Sequence, residues 1–568
     1  MKTTSLKAHQ HKLVEIRFRS ETAYAQPFKD VELEVAFTTP GGKTLRVPAF
    51  WAVEQTWCVR YASTETGTHA FRSLCSDEAN PSLHGQVGVV EIEPYLGDNP
   101  LYRHGGIRIA DDRRHFCHAD GTPFFWLGDT WWMGLCGRLS WPQDFQALAK
   151  HRKAIGFNVI QLVAGLYPDM PLFDERGRSS SGFSWERDLS RINPRFFDEA
   201  DQRIFHLVEQ GLTPCILGAW GYYLPMIGRE NMQRHWRYLI ARWGALPVVW
   251  AAAGEQTMPW YLESEEQKAV SRTRLTADWS QVIAYMRSIN AFGRPITTHP
   301  FESARASVTD TALLDFDMQQ TGHGAPTAHH AMRARQGWSV QPAMPVISGE
   351  SRYEGLDINP TVTARDTREA FWAHAIHSGL AGHTYGANGI WQVNTAQQPF
   401  GASPTGSCWG NLPWDQAMHL PGARQLGLAA RFLGTLPWHE IEPQPVPQDH
   451  LEAFLQHRPR LRRVALKLGW RPAPAAPIAL GLARNRSVGI AYTVSDQPFR
   501  VDLSPFQGPV QATWIDPTNF DEHPVRLRAR GRQMEVQPPH SNAAGDSDWL
   551  LLLKPAETPA SGEGSGHV

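Results

Sequence analysis

No stretch of the 568-residue sequence approaches the ~18 apolar residues needed to span a bilayer. The opening, MKTTSLKAHQHKLVEIRF, lacks the apolar core of about 7–15 residues that marks a secretory signal. The first absence argues against a transmembrane protein and the second predicts a cytoplasmic one. Charge of one sign is also missing. Lys+Arg 55 against Asp+Glu 56 leaves a net charge of −1, so no global field favours nucleic acid or an anionic membrane, and neither is an expected partner. Cysteine is scarce: six residues are scattered with no C-x-x-C pair and no zinc-ligand spacing, as structural thiols in a reduced compartment would be. No G-x-G-x-x-G or G-x-x-x-x-G-K-[ST] loop follows any candidate strand, which removes the usual phosphate cradles. No metal or organic cofactor is expected.

Aromatic residues, in contrast, are plentiful: Trp 22, Tyr 13 and Phe 25. Many stand beside glycine, histidine or acids, as in GDTWWMG, GAWGYY and GANGIWQ. Flat rings interleaved with polar groups suit a ligand with apolar faces and hydroxyl edges, which describes a carbohydrate.

A chain of this length exceeds one hydrophobic core, and its texture changes twice. Residues 1–104 read as short alternating segments between Gly, Pro and Asn clusters, an N-terminal antiparallel β-sandwich with a hairpin at TTPGGKT and a linker at GDNPLYRHGG. Residues 105–440 alternate short apolar strands with helical stretches. Eight strands are expected, at 124–129, 159–163, 214–220, 248–255, 295–300, 316–323, 345–351 and 382–387. Helices are expected at 140–156, 193–211, 277–293 and 364–382. Eight such units predict an α/β fold, a (β/α)₈ TIM barrel. Residues 441–555 return to β texture, a C-terminal sandwich whose strands include RRVALKLG, and 556–568 read as a disordered tail.

Barrel active sites lie at the carboxyl ends of the strands, so the strand ends form the candidate site. In order these give Asp129 with Trp131 and Trp132, Gln161, Trp220 with Tyr222, Glu255, His299, Gln320 with His323, Glu350 with Arg352 and Tyr353, and Tyr385 with Asn388 and Trp391. Glycosidic hydrolysis needs two carboxyl groups flanking the anomeric carbon. Glu255 and Glu350 end strands four and seven, roughly opposite each other. Small residues precede both, and Arg352 and Tyr353 are placed to hydrogen-bond Glu350 and keep it ionised as a nucleophile, while a desolvated Glu255 would hold the proton of an acid/base. The other polar and aromatic residues of the rim, Asp129 included, are expected to bind a carbohydrate substrate. The histidines at 323, 329 and 330 match no metal motif. Two rivals stand beside this reading: an inactive carbohydrate-binding barrel, and an acyl hydrolase using Cys408 in GSCWG, although that motif needs a preceding strand and follows a polar loop.

The segments PFFWLGDTWW, AIGFNVIQLV, LLDFDMQQTGHG, PVISGESRYEG and GLAGHTYGANGIWQ resemble successive motifs of the apiosidase-like glycoside hydrolases. The flanks are similar too: residues 24–37 and 50–73 to the β-sandwich that often precedes this barrel, and TWIDPTNFD to the W-x-D-P signature of a following sandwich sometimes labelled collagen-binding. The resemblance implies a TIM-barrel glycosidase with Glu350 as nucleophile and the acid ending strand four as acid/base. It further implies action on plant cell-wall side chains that carry apiose, a branched furanose. The family usually has Gly-Gly-Asp where this chain has Gly254-Glu255.

Overall fold

The computed structural model describes residues 4–446, 478–525, 528–530 and 532–556, with four single positions between 461 and 467. At its centre stand eight strands, each followed by its connection: β1 (Trp126–Thr130), α1 (Gln143–Ile155), β2 (Val159–Val163), α2 (Pro194–Glu209), β3 (Thr213–Leu217), α3 (Arg229–Trp243) and β4 (Val249–Ala251). Then come α4 (Glu265–Ile289), β5 (Ile296–Thr297), β6 (Asp317–Gln320), α5 (Thr327–Ser339), β7 (Val346–Glu350), α6 (Ala364–His377), β8 (Gly382–Tyr385) and α7 (Pro421–Leu433). The strands form one parallel sheet in the order β5-β4-β3-β2-β1-β8-β7-β6. Its two edges meet through the Asp315 amide on the Ile296 carbonyl at 2.8 Å and the Thr297 hydroxyl on the Phe316 carbonyl at 2.9 Å. The result is a nearly closed TIM barrel, and all eight expected strands are present.

Strand residues are almost all buried on both faces, because helices cover the outside and side chains fill the inside. Local chemistry sets the helix ends. Asn193 caps α2 ahead of Pro194, Gly156 at φ +108° closes α1, and capping boxes start α4 (Ser264 with Gln267) and α6 (Thr363 with Asp366). Helix α4 thus begins twelve residues before its expected start. Between β5 and β6 the described residues hold two single 3₁₀ turns in place of a helix.

The N-terminal sheets have five strands (order Thr4–His9, Val87–Glu93, Gly67–Cys75, Leu33–Thr38, Thr44–Pro48) and three (Val14–Arg19, Thr56–Tyr61, Phe50–Val53). They pack face to face around Val35, Phe37, Trp57, Val59, Phe71 and Val90. The TTPGGKT hairpin joins its strands with Gly42 at φ +82°. One pairing departs from the antiparallel expectation, since Thr4–His9 runs parallel to Val87–Glu93. The expected linker is docked rather than free: Leu101 and Tyr102 are buried, and Asn99 donates to the Val208 carbonyl at 2.8 Å. A small sheet (Ile107–Ile109, Phe116–His118, Pro123–Phe124) then plugs the amino-terminal end of the barrel, with Phe116 against Trp126 and Phe316.

The C-terminal sheets are antiparallel, with six and three strands. In the W-x-D-P segment Trp514 lies in their core, and Asp516 accepts from the backbone of Thr518 and Ala543, so the motif closes loops. Most of the strand expected at RRVALKLG lies outside the described residues, and its described positions, 463, 464 and 467, are helical. The tail from 557 onward also lies outside them. No helix among the described residues is long and apolar enough to cross a membrane.

Candidate active site

Two carboxylates occupy the carboxyl-terminal rim. Glu350 is the last residue of β7, and Glu255 follows β4 after Ala252, Ala253 and Gly254. Close approach explains both preceding glycines. A Cβ on Gly254 would lie 2.1 Å from Cε3 of Trp220, and one on Gly349 would lie 2.3 Å from Cγ of Met318. Glu255 itself turns the chain at φ +38°, with its carbonyl accepting the Met258 amide at 2.7 Å. Between the acids stands Gln320, at the end of β6. Its Nε2 donates to Oε1 of Glu255 and to Oε1 of Glu350, each at 2.9 Å. Twice 2.9 Å, or 5.8 Å, is therefore the widest separation these two oxygens can have.

The surroundings treat the acids in opposite ways. Tyr353 donates its hydroxyl to Oε2 of Glu350 at 2.7 Å, and His323 Nε2 lies 3.2 Å from Oε1. His299 Nε2 comes within 3.4 Å of Oε2, although it is not aligned as a hydrogen bond. Burial opposes ionisation of Glu350, but the two imidazoles outweigh it and hold the carboxyl below the usual carboxylate range. His323 is raised in return: burial disfavours its charge, and Glu350 more than compensates. Glu255 has weaker help, a 3.3 Å hydrogen bond from Trp220 Nε1 and the shared amide of Gln320. Burial and the neighbouring Glu350 charge together push it well above the ordinary carboxylate range. The surroundings thus favour the charged form at Glu350 and the protonated form at Glu255.

The structure thus brings Trp220, Glu255, His299, Gln320, His323, Glu350 and Tyr353 together. Trp132 joins them, its ring 5.1 Å from His299 and 5.5 Å from Trp220. Trp391 is buried beside Phe400, with its indole nitrogen unpartnered. Other expected ligands are engaged within the protein. Asp129 is fully buried and ion-paired to Arg152 (2.6 Å), and it also accepts from Trp131 Nε1 (2.7 Å), so neither Asp129 nor Trp131 offers a polar edge to a sugar. Gln161 donates to the Gly349 carbonyl, Tyr222 to the carbonyls of Tyr167 and Met170, Tyr385 to Glu354, and Asn388 to the Gly355 carbonyl. Arg352 does not reach Glu350. Its guanidinium is held by the Ala325 carbonyl and by Asp366 and Glu369.

Two polar side chains of this region have no counterpart in the strand-end reading. Asp169 stands in the long connection after β2 and Tyr261 in the one after β4, and the tyrosine hydroxyl donates to Asp169 Oδ1. Both lie several residues past a strand end; the only sequence signal for Asp169 is an acid among turn residues in LYPDM. Cys408 is exposed, with no strand before it and no hydrogen-bonded base among the described residues. His330 is buried and hydrogen-bonded to Thr321, and His374 to Gln319.

The profile described as the apiosidase-like catalytic domain matches residues 110–440. The chain belongs to the apiosidase-like family. A domain of unknown function, DUF5060, matches residues 7–76 of this apiosidase-like chain. Its fold is similar to that of a solved glycoside hydrolase at 18% identity, covering 82% of this chain and 99% of the other with a TM-score of 0.63. It is similar as well to a glycoside hydrolase family 5 structure from Bacteroides vulgatus at 19% identity, covering 81% and 95% with a TM-score of 0.62. No curated protein matches the chain. This apiosidase-like protein is a glycoside hydrolase, and its substrate is a carbohydrate.

Proposed function

We propose that the enzyme hydrolyses glycosidic bonds with retention of configuration, using Glu350 and Glu255. In the first step a Glu350 oxygen attacks the anomeric carbon as the glycosidic C–O bond breaks, and Glu255 gives its proton to the departing oxygen. In the second, the Glu255 carboxylate takes a proton from water, the hydroxyl attacks the anomeric carbon, and the ester bond to Glu350 breaks. The observation that carries this reading is the shared amide of Gln320, which keeps one oxygen of each carboxyl, Oε1 in both, within 5.8 Å of the other. Retaining enzymes hold their carboxyls about 5–5.5 Å apart, whereas inverting ones need ~6.5–9.5 Å to seat a water. The opposite protonation preferences of the two acids support the same roles, and a scaffold that only binds sugar has no use for them.

Within this reaction class we take the substrate to be a plant-type oligo- or polysaccharide bearing a furanosyl unit, a reading supported by the family alone. A panel of aryl pyranosides and furanosides tests it, with product anomers followed by NMR. The first-formed anomer should match the substrate. Glu350→Gln should lower kcat by about a thousandfold or more, and full turnover by that variant would remove Glu350 from the mechanism.

A further inference from the structure

The catalytic cleft holds a third carboxyl that neither step above employs. Asp169 sits at φ +58° in the connection after β2, is 8% exposed, and has Oδ1 fixed by the Tyr261 hydroxyl. Its Oδ2 has no hydrogen-bond partner among the described residues. The site around it is built. The Tyr222 and Tyr223 hydroxyls both clamp the adjoining Met170 carbonyl, at 3.1 and 2.8 Å, and the Tyr261 ring packs 5.7 Å from Tyr222 and 5.6 Å from Trp260. The backbone carbonyl of Asp169 accepts from Arg176 Nη2 at 3.2 Å. The connection that carries Asp169 packs against the residue that touches the acid: the Trp220 amide donates to the Leu166 carbonyl at 2.9 Å, and the Trp220 indole donates to Glu255 at 3.3 Å. Burial first and the Glu350 charge next push Asp169 up to about 6, so it is an acceptor over the neutral range.

Cations that could receive an acidic sugar are committed elsewhere. Arg176 is paired with Asp174 at 2.8 Å, and Arg352 with Asp366 and Glu369. The imidazoles of His299 and His323 already face Glu350. A bound sugar therefore meets a carboxylate edge at Asp169, which a hydroxyl satisfies and a second carboxylate does not.

We propose that Asp169, oriented by Tyr261, is a specificity-determining residue that accepts a hydrogen bond from a substrate hydroxyl and makes the cleft select neutral glycosyl groups over uronic acids. This inference rests on the Glu255–Glu350 reading of the site. It adds a residue from outside the strand ends, and a substrate class.

The test uses 4-nitrophenyl glucoside, galactoside, xyloside and arabinofuranoside against the glucuronide and galacturonide. Turnover is measured with the full-length enzyme, and binding by ligand-observed NMR with Glu350→Gln, which separates recognition from chemistry. Neutral sugars should bind and uronides should not. With the best neutral glycoside, Asp169→Asn should lower kcat/KM about ten- to a hundredfold, the weight of a charge-assisted hydrogen bond. The loss should shrink to within a fewfold for whichever monodeoxy analogue lacks the hydroxyl that is read. Tyr261→Phe should give a smaller loss of the same pattern. Uronide binding equal to neutral binding, or an equal Asp169→Asn loss for every deoxy analogue, overturns the proposal even where Glu350→Gln is inactive. Neutral sugar binding that is selective overturns nothing here if turnover fails, and places the fault in the acid pair instead.

Discussion

Gln320 decides how the two acids share their charge. Its single amide nitrogen donates to both, and for Glu255 that donation favours the ionised form, partly offsetting burial and the Glu350 charge. Turnover by the proposed mechanism needs Glu255 protonated and Glu350 ionised. As pH rises through the raised value of Glu255, the proton donor is lost and kcat/KM falls. As pH drops through the depressed value of Glu350, the nucleophile is lost and kcat/KM falls again, which gives a bell. Gln320→Leu removes the bond that favours ionised Glu255, so the alkaline limb should move to higher pH. A kcat/KM profile with that limb unmoved, or moved downward, contradicts the assignment of Glu255 as the acid. At this scale Glu255, His299, Gln320, His323, Glu350 and Tyr353 were legible as strand-end residues. Asp129 and Tyr385 were equally polar strand ends, but their partners Arg152 and Glu354 lie 23 and 31 residues away in the chain and meet them only in the fold.

The elements that carry the acids are short, and their positions depend on what lies directly beneath. Gly254 pairs with Trp220 as an isolated parallel bridge, and Trp220 in turn donates to Glu255. A methyl group at Gly254 would enter the Trp220 ring, so Gly254→Ala should displace the indole and uncouple it from the acid. The expected result is a stability loss of about 1–3 kcal/mol from overpacking, with kcat falling roughly tenfold or more as the acid loses its position. Thermal melts and steady-state kinetics check both, and unaltered kcat with a lowered Tm would show that Trp220 does not position Glu255. The eight strands were readable because a barrel strand buried on both faces is a continuous apolar run between turn residues. Helix α3 was not singled out, because its buried Met232, His235, Trp236 and Leu239 alternate with arginines that mask the stripe. The connection after β2 hides Asp169 for a different reason: a loop has no periodicity from which to read direction.

Across the whole molecule the flanking sheets are fastened to the barrel by buried charge. On the N-terminal side Asp201 of α2 receives two guanidinium groups, Arg60 from the Thr56–Tyr61 strand and Arg242 from α3, the latter at 2.8 Å. The Trp243 indole is a third donor group to the same carboxylate, at 2.7 Å. On the other side Arg368 of α6 holds Asp548 at 2.7 Å, next to the Tyr492 hydroxyl. Burial alone would raise Asp201, but Arg242 and Arg60 win and lower it to about 2. A carboxylate whose folded pKa is depressed stabilises the fold above its unfolded value, ~3.9, and loses that contribution as pH falls towards the folded value. Asp201→Asn leaves two buried arginines under-compensated and should cost about 3–5 kcal/mol near neutrality. It should also expose the N-terminal sheets to proteolysis before the barrel. Because the variant has no carboxylate to protonate, its deficit in Tm relative to the parent should be full at pH 6 and shrink between pH ~4 and ~2. A deficit that stays constant across that window would mean that the two arginines are held by packing, with the Asp201 charge contributing little to the union of sheet and barrel.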